Sequence, residues 1–351
     1  MWREKETWLI DIGSTHLKML NLRLPKVPRI ESVKVVDYYR TGLVNRPEDL
    51  SQLILTQILR DTVRSLKISG KTVGVVISTP GALVRILNIP LVSMDELKAT
   101  IQFNLIGLIP YDPEKAEFDF TIWETNPENR TQTAIVSIAP TTEITWITEI
   151  ITRAGLEPVL ITIDALAIFN ALSFCPGAAE HPTLLLHIGA RKTNIIYHDP
   201  GNTPFFHIVP FGGEHITQQL ARLLSTSYVN AELIKLGELN LPEPKSENIN
   251  IYHKALNQAF IAPILPVVQD ILINQQLTHP ADTATQIILT GGGALTPELD
   301  VLLAQSLKQP VQRWNLLDNL PAKLIKPKID PQLGWQLLPL IGLACQEGLC
   351  G

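Results

Sequence analysis

The sequence predicts an α/β protein of two lobes that face a common ligand. Three observations predict it. Residues 8–18, WLIDIGSTHLK, run apolar to an acid, turn through a glycine and two hydroxyl residues, and resume apolar, which is the pattern of a tight β-hairpin. Residues 183–199, TLLLHIGARKTNIIYHD, repeat it, with His187-Ile188-Gly189 where Asp11-Ile12-Gly13 stood, an offset of 176 residues between positions 11 and 187. Two further apolar runs in the second half end in glycine turns, Gly212-Gly213-Glu214 and Gly291-Gly292-Gly293-Ala294. Half a chain is too long a period for a solenoid, so each lobe opens with the same hairpin.

Composition narrows the function classes. The chain has 351 residues, 45% hydrophobic and 18% charged, with the apolar residues spread in short runs; neither a membrane span nor a signal peptide is expected, and the protein is expected to be cytosolic. Net charge is −5, from 29 Lys and Arg against 34 Asp and Glu, with no basic run, which argues against a nucleic-acid surface. Cys175, Cys345 and Cys350 lack a CxxC pair and read as buried or terminal thiols. The eight histidines include His181, His187, His198, His207 and His215, whose spacing matches no helical metal pair.

In chain order, the hairpin is followed by a strand at 34–39, an amphipathic helix at 47–66 and a doubly buried strand at 72–78. From 79 the pattern becomes a small inserted module: strand 83–89, a helix opened by the capping box Ser93 to Glu96, a hairpin of 118–123 with 133–139, and a helix at 142–154. A strand at 159–163 returns to the first lobe. Asp164 then either caps the alanine-rich helix 165–172 or faces the cleft. In the second lobe, strand 205–211 leads through its glycines into a helix, and residues 229–236 form a helix carrying Glu232 and Lys235. That pair is either a solvated ion pair or a ribose and base contact. Residues 241–250 read as a loop, 263–277 as a helix, and Thr296 as the N-cap of a helix running to Leu307. The apolar segment 333–345 is a core helix or a weak membrane anchor.

The division expected is a first lobe, 1–182, with core at about 7–78 and 155–182 and an insert at about 79–154. The second lobe, 183–351, has its core at about 183–213 and 285–351 and a helical subdomain at about 214–284. The turns supply the chemistry. Glycine admits close backbone approach, turn N–H groups with hydroxyls cradle phosphate oxygens, and a neighbouring carboxylate holds a water-shelled Mg²⁺. The bland alternative is that Asp11 and Ser14 only shape a turn. Glycine turns that open helices add N–H donors and a positive dipole end.

These pieces, in this order, resemble the actin/Hsp70/sugar-kinase ATPase superfamily, and within it the PilM family of pilus-assembly proteins, relatives of the cell-division protein FtsA. WLIDIGSTHLK resembles the first phosphate loop, LLLHIGARKT the second, FGGEHIT with AELIK the ribose and base contacts, and ILTGGGAL the adenosine loop. LVRILNIPLVSMDELKATIQFNLIGLIPYDPEKAEFDF resembles the small PilM and FtsA subdomain. The resemblance implies an actin-like (ribonuclease H-like) two-lobed fold that binds ATP, with Mg²⁺ held through water by Asp11. Its nucleotide residues would be Asp11, Gly13, Ser14, Thr15 and Lys18 in the first loop and His187, Gly189, Lys192 and Thr193 in the second. Gly212, Gly213, Glu214, Glu232 and Lys235 would meet ribose and base, and Gly291, Gly292, Gly293 and Ala294 the adenosine.

One position departs from that pattern: His187 stands where the family carries an Asp that places metal and attacking water. The resemblance therefore implies nucleotide binding with at most very weak hydrolysis, and no catalytic residue is assigned. It also implies a cytoplasmic scaffold, peripheral to the inner membrane, that holds the N-terminal tail of the membrane protein PilN. Other pilus inner-membrane components and a second copy are further implied partners. The tail groove would be walled by Leu87, Ile89 and Pro90, by Ile109, Pro110 and Tyr111, and by Ile163 and Asp164. The alternatives are an FtsA-like filament protein, a type II secretion cytoplasmic component and, less well supported, a small-molecule kinase.

Overall fold

The computed structural model describes residues 6–23, 29–174, 177–178, 180–242, 245–278, 285–320 and 329–345. β1 (Glu6–Ile12), β2 (His16–Arg23) and β3 (Arg29–Asp37) form an antiparallel meander. The first turn is closed by Gly13 N–H donating to His16 O at 3.0 Å. Helix α1 (Gln52–Leu66) crosses to β4 (Thr72–Ile77), which pairs parallel with β1. The helix expected from residue 47 begins at 52 because Ser51 is extended and its Oγ accepts Ile54 N–H, while Pro47–Asp49 make a separate 3-10 turn.

The insert then builds its own layer. β5 (Leu83–Pro90), α2 (Met94–Asn104), β6 (Ala116–Asn126), β7 (Thr131–Pro140) and α3 (Thr141–Arg153) follow, with a three-stranded sheet ordered β5-β7-β6. The Ser93–Glu96 capping box opens α2 as the spacing predicts: Glu96 accepts from Ser93 N–H at 3.1 Å and from its hydroxyl at 2.7 Å. β8 (Glu157–Ile163) rejoins the first sheet parallel to β4 and runs into α4 (Asp164–Asn170).

The second sheet copies the first. β9 (Thr183–Ile188), β10 (Thr193–His198) and β11 (Phe205–Val209) form the meander. Four helices follow: α5 (Gly213–Leu223), α6 (Tyr228–Lys235), α7 (Lys245–Leu256) and α8 (Ala262–Thr278). β12 (Gln286–Thr290) pairs parallel with β9, and after α9 (Leu299–Leu307) so does β13 (Val311–Arg313) with β12. The orders β3-β2-β1-β4-β8 and β11-β10-β9-β12-β13 are the same topology twice. Even the turn is copied: Gly189 N–H donates to Lys192 O at 3.0 Å, 176 residues after its counterpart.

Four expectations are corrected. Residues 245–250, expected in a loop, belong to α7. Together with α8 and a π-helical turn at Asn257–Ile261, α7 makes a continuous run, Ser246–Gln275, long and apolar enough by length and composition to cross a membrane, although no such span was expected. Its residues Tyr252, Leu256, Phe260, Ile264 and Val268, four apart, are buried in the second lobe's core, so one stripe of the run is a core face. Thr296 does not cap α9, which starts at Leu299 after Glu298 in a left-handed conformation. Cys345, read as a thiol, is disulfide-bonded.

The last correction concerns the C-terminal segment. After α10 (Leu316–Asn319), helix α11 (Leu338–Ala344), placed with the second lobe by sequence order, is buried in the core of the first, against α4, β1 and β4. Gly342 makes this possible, since a Cβ there would lie 1.6 Å from Ala167 O. Of the two sequence readings of this segment, the core helix is the one observed.

Candidate functional site: the interlobe cleft

The duplicated turns face each other across a cleft of about 840 Å³. Asp11, Gly13, Ser14, Thr15 and Lys18 line it from the first lobe. His187, Gly189, Lys192, Gly213, Glu214, Glu232, Lys235, Gly292 and Gly293 line it from the second. Of the sequence-predicted nucleotide residues, Thr193, Gly212, Gly291 and Ala294 stand behind this lining: Thr193 donates to Phe211 O at 2.9 Å, and Ala294 is fully buried.

Glycine is required where the loops dock on one another. Gly213 N–H donates to Gly189 O at 2.9 Å and Glu214 N–H to Ala190 O at 2.8 Å, so the turn that opens α5 rests on the second hairpin. A Cβ on Gly212 would lie 2.3 Å from Gly189 O. Gly291 has φ +88°, and a Cβ there would lie 2.5 Å from Ile188 O.

The first turn carries an ion pair, with Lys18 Nζ 2.7 Å from Asp11 Oδ2. Asp11 Oδ1 is buried with no hydrogen-bond partner among the described residues. Cross-strand register sets Asp11 opposite Lys18 in the first hairpin and His187 opposite Asn194 in the second. The counterpart of Lys18 under the 176-residue repeat is therefore Asn194, and a charged pair in one lobe is matched by a neutral pair in the other. Burial lowers His187 to about 3, against a smaller upward pull from Asp164, so its imidazole is neutral.

Asp164 is the structural centre of the lobe junction. Its carboxylate accepts from Lys192 Nζ at 2.9 Å, Ser78 Oγ at 2.7 Å, Asn194 Nδ2 at 2.9 Å and the Ala165 N–H at 2.9 Å. Lys192 also donates to Thr79 O at 3.1 Å, so one lysine of the second lobe ties down two elements of the first. Burial pushes the Asp164 carboxyl up, but the Lys192 charge and these hydrogen bonds outweigh it and hold it below the usual range. Asp164 thus does not cap α4, whose N-cap is Ile163, and of its two sequence readings the one that faces the cleft is observed.

Glu232 and Lys235 are more than a solvated pair. Lys235 is buried, lies 2.6 Å from Glu232 Oε2 and 3.3 Å from Gly213 O, and Thr217 also donates to Glu232. Glu214 accepts from Arg191 Nε at 3.0 Å and Gln218 Nε2 at 3.1 Å. At the cleft mouth, Arg40 bridges to Glu238 at 2.7 Å and the Tyr39 ring lies 5.2 Å from that of Tyr228, each pair crossing between lobes.

The expected peptide-wall residues differ in exposure. Leu87, Ile89 and Ile109 are buried in the insert's own core with Leu97 and Ile101 of α2, and Ile163 lies in the first lobe's core. Pro90 and Pro110 are exposed and Tyr111 is half-buried, its hydroxyl donating to Gly81 O at 2.8 Å. Sequence reasoning missed Ser78, Thr79, Asn194, Arg40 and Glu238. For Asn194 a signal existed, since adding the repeat offset to Lys18 lands on it.

Two sheets of the same topology with a cleft between their hairpin turns are the mark of the actin-like ATPase fold, and solved structures agree. The PilM protein of a "PilM-PilN type IV pilus biogenesis complex" superposes with TM-score 0.76 at 17% identity, covering 99% of both chains. A diol dehydratase-reactivating factor in nucleotide-free form gives 0.53 at 11% identity, over 99% of this chain and 100% of that one, and MreB5 of Spiroplasma citri bound to ADP gives 0.50 at 11%, over 99% and 97%. Within that fold the chain belongs to the family described as Type IV pilus assembly protein PilM, which it matches over residues 10–344.

FtsA of Streptococcus pneumoniae is 26% identical over 168 residues, 44% of this chain and 36% of that protein. FtsA of Enterococcus faecalis is 27% identical over 188 residues, 49% and 42% respectively. The matched segments thus span less than half the length of these curated relatives.

Proposed function

We propose that this chain is a nucleotide-binding scaffold of type IV pilus assembly that works through its conformation and its partners, with at most very weak ATP hydrolysis. The observation that carries the reading is the state of Asp164. A carboxylate has about four lone-pair sites, and Asp164 spends its acceptor capacity on Lys192, Ser78, Asn194 and Ala165. Such a group neither orients a water nor accepts its proton, and neutral His187 brings no negative charge to the place where the family carries its second acid. The same lack argues against a small-molecule kinase, which needs an acid to receive the proton of a substrate hydroxyl.

The cleft lining supports nucleotide binding. Both hairpin turns, the glycine turn before α5 and the Gly291–Gly293 loop converge on one cleft, with Lys18, Lys192 and Lys235 among its lining residues. ATP is the nucleotide proposed, with phosphates on the hairpin turns and ribose and base towards Glu232 and Lys235. Isothermal titration of the purified chain with ATP and ADP, with phosphate release followed in parallel, tests this. Saturable binding with negligible release is expected; absence of binding refutes it.

By family membership and likeness to the PilM-PilN complex, the partner proposed is the N-terminal tail of a PilN-type membrane protein, which would hold the chain at the cytoplasmic face of the inner membrane. A site near the junction of insert and first lobe would use Pro90, Pro110 and Tyr111, the expected wall residues that are not buried in a core. Extended peptides bind such places by main-chain hydrogen bonds and a few apolar contacts. Fluorescence anisotropy with a labelled tail peptide should show binding weakened by Tyr111→Ala; unchanged affinity removes Tyr111 from the site.

A further inference from the structure

We propose that the cleft holds the polyphosphate of a nucleotide on its lysines and not through a divalent cation, an inference that rests on the nucleotide reading above. Mg²⁺ takes near-octahedral oxygen ligands and is held in phosphate sites by one or two carboxylates, directly or through water. The carboxylates here do not fit that role: Glu214 is held by Arg191 and Gln218, and Glu232 by Lys235 and Thr217. Asp164 is occupied by four donors. Asp11 offers a single unpartnered oxygen, Oδ1, while the Lys18 ammonium holds the other at 2.7 Å. A dication bound there would have to sit beside that ammonium, against like-charge repulsion. The third position is His187, whose ring brings no negative charge and no oxygen. No cluster of three His, Cys, Asp or Glu side chains suited to a metal ion occurs among the described residues.

The lysines, by contrast, stand where phosphate charge would fall. An ideal Cβ on Gly13 would lie 3.7 Å from Lys18 Nζ, so that ammonium sits close over the first glycine turn. Lys18 spends one of its three N–H donors on Asp11, and Lys192 two of three on Asp164 and Thr79, leaving donors for a ligand. The paired exchange in the second hairpin fits this reading. Relative to Asp11 and Lys18, the His187 and Asn194 pair lacks both the acid and its cation, so the second hairpin presents no carboxylate oxygen to Mg²⁺ at this register position.

The test is calorimetric titration of the full chain with ATP, once with Mg²⁺ and once with excess EDTA. The dissociation constants should agree within about threefold, which is under ~0.7 kcal/mol. Binding that weakens tenfold or more in EDTA overturns the inference and leaves the nucleotide reading standing, whereas no binding in either buffer overturns the nucleotide reading itself. Lys18→Gln combined with Asp11→Asn, which removes the ammonium without stranding its buried carboxylate, should weaken ATP binding in EDTA by about tenfold or more; an undiminished affinity overturns the lysine assignment.

Discussion

Replacing Lys192 with Met should cost about 3–5 kcal/mol of stability, the penalty for stranding one member of a buried ion pair. The structure sets that magnitude. The side chains of Lys192 and Asp164 are 6% and 4% exposed, so solvent does not take over when the ammonium is removed. Asp164 would retain Ser78, Asn194 and Ala165, three neutral donors, but lose the charge of Lys192, and Thr79 O would lose its tie to the second lobe. Asp164→Asn combined with Lys192→Met should recover much of the loss, because both charges then leave the interior together. Urea denaturation of wild type, both single variants and the double variant measures this cycle. A Lys192→Met midpoint within the equivalent of ~1 kcal/mol of wild type, or a double variant as unstable as the two single losses added, would refute a buried charge as the junction of the lobes. The pH dependence has a definite sign. Asp164 has a lowered folded pKa, so its contribution is complete above the ordinary carboxylate value of 3.8 and is lost as pH falls below it towards the folded value.

Further outcomes follow from the same geometry. His187, lowered to about 3, stays unprotonated in the fold while the unfolded chain takes a proton below about 6.5, so stability should be full above pH 6.5 and decline as pH falls towards 3. The slope should approach about 1.4 kcal/mol per pH unit for this residue, and His187→Asn should flatten urea midpoints between pH 7 and 5; an unflattened profile refutes it. Gly212→Ala should push the glycine turn off Gly189 O, costing about 1–3 kcal/mol and weakening ATP binding, as read by thermal denaturation and calorimetry. Glu238→Ala with Tyr228→Ala removes both contacts across the cleft mouth and should speed nucleotide release in stopped-flow displacement, while the exposed Arg40–Glu238 pair itself contributes under ~1 kcal/mol.

What the sequence made legible was what local patterning and internal repetition carry. The hairpin at 8–18 and its copy at 183–199 emerged because alternating apolar runs and glycine turns encode strand and turn directly. The capping box at Ser93 emerged for the same reason. The features missed depend on distant packing. Residues 245–250 read as a loop beside two prolines, yet α7 continues into α8 because Tyr252, Leu256, Phe260 and Ile264 bury one stripe against the second lobe, and that burial outweighs weak local propensity. Alternation along β5 tells that Leu87 and Ile89 share a face, but not that this face meets the insert's own helix. Asp164 is the most instructive case. An acid before a helix is usually its cap, and nothing nearby in the sequence shows that Lys192 and Asn194, 28 and 30 residues later, come back to it from the other lobe. The repeat contained half of that answer, since it maps Lys18 onto Asn194. The other half, that Lys192 on the duplicated turn reaches across the lobe junction, exists only once the two sheets face each other. A site assembled from two copies of one hairpin is thus readable in its parts, while its charge balance is a property of the assembled pair.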